Sequence, residues 1–173
     1  MDRVRKDRLL ATIRADRARF DRALAVVPPS RLTDPILPGG WSVKDVLAHI
    51  AWGHREAIGV IEARAMVGSA LWDVPEDERN DAVVRESRSR EVDEVRAHYR
   101  AAFDRYLWVI GELEEDDLNE PDHVRGLGER IPGWRPWRVL YDPAHLDEHR
   151  RTIQATFGSP TELELKRDGH PRA

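Results

Sequence analysis

Four stretches of the chain repeat apolar residues at steps close to 3.6, and none alternates apolar and polar residues between turn signals, so helices and not strands must bury the core. The first runs from about residue 2 to 27, with Leu9, Leu10, Ile13, Phe20, Leu24 and Val27 on one face, and ends at Pro28 and Pro29. The second, 42–68, opens at Ser42 with Asp45 three residues on, a capping box with Asp in place of Glu or Gln. Its apolar arc is Val43, Val46, Leu47, Ile50, Ala57, Ile58 and Ile61. The third, 91–116, carries Val95, Tyr99, Ala102, Phe103, Tyr106, Val109, Ile110 and Leu113, and the fourth, 137–157, carries Val139, Leu146, Ile153 and Phe157. Residues 69–90 are polar with Pro75, leaving room for a short helix, and so long a connection frees the second and third helices from being antiparallel neighbours. The expectation is one all-α domain of four long helices over residues 1–157, then a loosely held tail over 158–173.

A length of 173 residues suits one domain, and 40% apolar residues suffice for its core. Lys and Arg number 28 against 32 Asp and Glu, a net charge of -4 without a basic stripe, which argues against nucleic acid as a partner. The absence of cysteine excludes disulfide scaffolds, thiolate zinc sites and cysteine nucleophiles, leaving histidine and carboxylate as metal ligands. No window approaches the run of about 18 apolar residues that a membrane span needs, so no membrane partner and a cytoplasmic location are expected.

Among the seven histidines, His145 and His149 stand at i and i+4, which puts both rings on one helix face within reach of a single ion. On the helical wheel they sit beside the Leu146, Ile153 and Phe157 face, at the rim of the core. The pentad His145-Leu146-Asp147-Glu148-His149 also fits the HxxEH pattern of inverzincin peptidases, but Glu162 and Glu164 are poorly placed as the distant carboxylate such a site needs, and that reading is rejected. A third ligand has to come from the second helix, which offers His49 and His54. His54 falls mid-stripe, as a core or pocket histidine, and His49 lies at the edge; the wheel alone does not choose between them. His98, His123 and His170 read as solvated. Asp45, Asp142, Asp147 and Glu148 are candidates for orienting imidazoles. Trp41, Trp52, Trp134, Trp137 and Tyr141 flank the motifs and suit an apolar pocket for a small organic ligand, with core packing the competing explanation.

The segment Gly40-Trp41-Ser42-Val43-Lys44-Asp45-Val46-Leu47-Ala48-His49-Ile50 resembles the start of the second helix of the DinB/YfiT-like superfamily, and His145-x-x-x-His149 followed by Arg150 and Ile153 resembles its last helix. The resemblance implies an up-down-down-up four-helix bundle with a long crossover between its second and third helices. It also implies a divalent ion, zinc or nickel, held by His49, His145 and His149, with His54, Trp52, Trp137 and Tyr141 as pocket residues. Among the branches, the Trp41–His54 stretch, Arg79-Asn80 and the final His-x-x-x-His look most like the ClbS/DfsB group, known for protection against reactive natural products. Two functions follow from the resemblance: a metal-dependent hydrolase or thiol transferase using a low-molecular-weight thiol, or a metal-free protein that sequesters a small reactive compound. A homodimer is compatible with either.

Overall fold

The computed structural model describes residues 3–158, and every element of regular structure among them is helical; the only bridges, Leu37 with Trp41 and Ala65 with Arg125, are isolated. Beyond Gly158 the expected tail lies outside the described residues. Four helices are long: α1 (Lys6–Leu24), α2 (Val43–Ala63), α4 (Val92–Glu112) and α8 (Pro143–Phe157). Between α2 and α4 stands α3 (Glu76–Arg88), and between α4 and α8 come three short helices, α5 (Glu115–Asn119), α6 (Leu127–Arg130) and α7 (Pro136–Leu140). Helix α2 packs along α4 and against α3, α1 along α8, and α2 touches α8.

Local chemistry explains the ends. At the start of α2 the Ser42 hydroxyl accepts from the Asp45 N–H while the Asp45 carboxylate accepts from the Ser42 N–H, so the capping box forms as read. The helix stops at Ala63, short of Gly68, because Arg64 takes a left-handed conformation (φ 46°) and its N–H returns to the Val60 and Ile61 carbonyls. The fourth periodic segment is two helices and not one. Pro143 has no N–H to continue a helix from α7, so Tyr141 and Asp142 run extended, and the Asp142 carboxylate caps the Ala144 N–H to start α8. The 69–90 connection holds a 13-residue helix, α3, entered through Pro75 and three acidic residues that favour its positive end.

The core forms two main clusters along the bundle and a small third one around Leu127. One joins Phe20, Val46, Leu47, Ile50, Val95, Tyr99 and Ile153; the other joins Leu9, Ile13, Ile61, Phe103, Tyr106, Ile110, Leu118 and Leu140. Between them lies a layer that is not purely apolar. Arg17 reaches inward from α1 with its guanidinium 3.9 Å from the Tyr99 ring centre and 4.3 Å from that of Phe103, its Nε donating to Asp21. His54 stacks on Tyr106 at 4.7 Å in the same layer. The stretch of α2 from His49 to His54, where two histidines flank the buried Ile50 and Ala51, is where the site forms.

Candidate metal centre

His49 comes from the second turn of α2, and His145 and His149 from one face of α8. The three Nε2 atoms turn toward one another: His49 to His145 is 2.8 Å and His145 to His149 is 3.1 Å. All three ligand atoms lie within 4.8 Å of one another. The rings meet edge to face, with centres 4.8–5.3 Å apart. Trp41 backs the cluster, its ring 5.3 Å from His49 and nearly parallel to His149 at 6.3 Å, and Trp52 lies 6.4 Å from His49 on another side.

Burial makes these rings neutral. It pushes His49 down to about 3, helped by the positive charge that His145, His149 or Arg79 would set against it, and it pushes His149 down to about 4, with His145 adding to the effect. Burial also lowers His145, against the opposing pull of Asp142, Glu148 and Glu76. Neutral imidazole is the form that ligates. Tetrahedral ligands at 2.0–2.1 Å from zinc stand about 3.3 Å apart, so the 2.8 and 3.1 Å separations have to widen by a few tenths of an ångström to admit an ion, and the third pair lies within 4.8 Å. The donor set and its spacing fit a divalent cation with one position left open.

The other residues singled out from the sequence separate into two cavities on either side of the cluster, both of them lined by His145. His54, Trp52 and Tyr141 line one of about 300 Å³. Trp41 lines the other, about 280 Å³, with His49 and His149. Trp137 packs against the second core cluster and Trp134 against a small cluster around Leu127, so neither lines a cavity at the histidines. Of the acidic candidates, Asp45 is engaged with Ser42 and Ser87, Asp142 caps α8, and Asp147 pairs with Arg150 and Arg151. His98 is exposed; His123 is exposed too but bonds Asp117, and His170 lies outside the described residues. Sequence reasoning gave no site role to Trp72, Phe103 and Tyr106 and took Arg79 only as part of a resemblance, yet all four line the larger cavity. Their helical periodicity marks Phe103 and Tyr106 as inward-facing, but nothing local distinguishes a residue facing a cavity from one facing the core.

No curated protein and no solved structure gives a significant match to the chain. A family model described as the mycothiol maleylpyruvate isomerase N-terminal domain matches residues 13–144, a span that includes His49 and stops one residue before His145. The chain belongs to this family, and through it to the DinB/YfiT-like superfamily.

Proposed function

We propose that the chain is a metal-dependent enzyme that uses a low-molecular-weight thiol, or water, against a small reactive compound, a thiol transferase or hydrolase serving detoxification. The observation that carries this is the convergence of the His49, His145 and His149 Nε2 atoms from two helices. A divalent ion bound there, zinc or nickel, supplies Lewis acidity that favours thiolate or hydroxide at neutral pH. The chain's own part is to present three uncharged nitrogens and to hold their rings by packing against Trp41 and Trp52. The family match to a mycothiol-dependent isomerase domain supports a thiol partner. The pairing of α1 with α8 and α2 with α4, and the long α2 to α4 connection, support an up-down-down-up arrangement of the four long helices.

A second reading, a metal-free sequestering protein of ClbS/DfsB type, is favoured by one detail. Metal-bound histidines almost always donate their other N–H to an acceptor, yet the His49 Nδ1 is buried without a partner. Elemental analysis of untagged protein after dialysis decides between them, with His49→Ala, His54→Ala and His149→Ala alongside. One divalent ion per wild-type chain is expected. Loss of His49 or His149 should weaken retention by more than the roughly 10–100-fold that loss of an outer partner causes, and His54→Ala should leave it intact. A wild type without stoichiometric metal, or a site emptied by His54→Ala and not by His49→Ala, overturns the assignment.

A further inference from the structure

The larger of the two cavities at the histidine cluster has a wall unlike that of its neighbour. Trp52, Trp72, Phe103, Tyr106 and Tyr141 bring five aromatic rings to it. Trp72 closes in because residue 68 is glycine: a Cβ there would collide with the indole. Two nitrogens among the lining residues, the Arg79 Nε and the His54 Nδ1, are buried and have no hydrogen-bond partner. A buried polar group left unmade costs about 1–3 kcal/mol, more when it is charged, so this is a place where a ligand has something to satisfy.

The lining carboxylates do not do so. Glu56 accepts from the Ser69 N–H at 2.8 Å and Asp142 from the Ala144 N–H at 2.9 Å, while no carboxylate pairs with Arg79 among the described residues. The guanidinium carbon stands 5.7 Å from the Trp52 ring centre, held beside an aromatic face with its fork of donors incompletely used. An aromatic enclosure of about 300 Å³ with one under-used cation in its wall matches a flat hydrophobic molecule carrying a single anionic group.

We propose that this cavity binds an aromatic carboxylate, with the ring system between the aromatic walls, the carboxylate on the Arg79 guanidinium, and His54 as a second donor. The inference deepens the function proposed above, since His145 would then bring the bound molecule beside the histidine cluster, but the binding itself needs no metal.

The test is calorimetric titration of the full chain, freed of metal by EDTA and dialysis, with 2-naphthoate and with the neutral 2-naphthamide. Wild type should bind the acid about tenfold or more tightly than the amide, the size expected of a hydrogen bond to a charged group. Arg79→Met should remove that preference while amide affinity stays within about twofold, and Arg79→Lys should restore part of it. Unchanged amide binding shows that the variant is folded and its aromatic wall intact. No binding of the acid by wild type, equal binding of acid and amide, or an acid preference that survives Arg79→Met overturns the proposal. Should Arg79→Met lose both ligands, Arg79→Lys decides: acid preference retained supports the proposal, and its loss with the amide still bound overturns it. A chain that shows Arg79-dependent acid binding yet holds no stoichiometric metal overturns the metal reading alone.

Discussion

At the scale of single residues, the five-residue step from His49 to His54 places two histidines of one helix in two environments. His49 is only 7% exposed and meets α8, whereas His54 looks into the aromatic cavity and stacks on Tyr106. Burial pushes His54 down to about 3, with the Arg17 and His145 charges acting in the same direction. Its ordinary value of 6.5 is the one the unfolded chain keeps. Between those values the unfolded state binds the proton and the folded state does not, so stability rises with pH across this window and falls as pH drops below 6.5. Each such histidine contributes up to about 1.4 kcal/mol per pH unit. Urea unfolding of metal-free protein should therefore give a lower midpoint at pH 5 than at pH 7, and His54→Phe, which keeps the ring stacked and removes the titration, should narrow the gap. A gap of unchanged size in that variant would show that His54 is already protonated in the folded chain.

At the scale of elements, the start of α2 is tied to the end of α3. The buried Asp45 carboxylate accepts from the Ser42 N–H at 2.9 Å, the Ser42 hydroxyl at 2.7 Å and the Ser87 hydroxyl at 2.9 Å, and the buried Lys44 amine donates to the Arg88 carbonyl at the end of α3 and to the Arg90 carbonyl just beyond it. Asp45→Ala leaves the Ser42 N–H and hydroxyl without their acceptor, while the Ser87 hydroxyl keeps the Val84 carbonyl at 2.9 Å, and should cost about 1–3 kcal/mol, seen as a lower urea midpoint. Ser42→Ala removes the cap and should cost about 1 kcal/mol. Because α3 carries Arg79 and α2 carries His49, loosening this joint should also weaken ligand affinity in the aromatic cavity. The capping box was legible from Ser42 and Asp45. Its bond to Ser87 was not, because 42 residues separate the partners and no periodicity links them.

At the scale of the whole molecule, two apolar clusters are divided by the layer that holds Arg17 and His54. Filling each cluster is a separate packing problem. Phe20 is fully buried in the first, 6.0 Å from Tyr99, and Phe20→Ala should lower stability by about 3–5 kcal/mol. Tyr106 is 1% exposed and donates to the Leu140 carbonyl at 2.5 Å, pinning α7 to α4. Tyr106→Phe should cost about 1 kcal/mol by leaving that carbonyl without its donor. Both effects should appear in thermal or urea unfolding, and a Phe20→Ala loss below 1 kcal/mol would show that the first cluster collapses around the deletion.

The all-helical class and the inward faces were determined by the sequence, because helical periodicity is a local property and each long segment contains enough residues to display it: Val95, Tyr99, Ala102, Phe103, Tyr106, Val109 and Ile110 are all buried as the 3.6 period requires. The pairing of His145 with His149 was determined in the same way, by one helical turn. Only the tertiary structure decided that His49 and not His54 completes the triad, since that depends on how α8 crosses α2, about 96 residues away along the chain. It also decided which aromatic residues enclose empty space, whereas the break in the fourth helix was written locally in Asp142 and Pro143. Periodicity reports which way a side chain points, and whether it meets a neighbour, an ion or a cavity is set by elements brought from elsewhere.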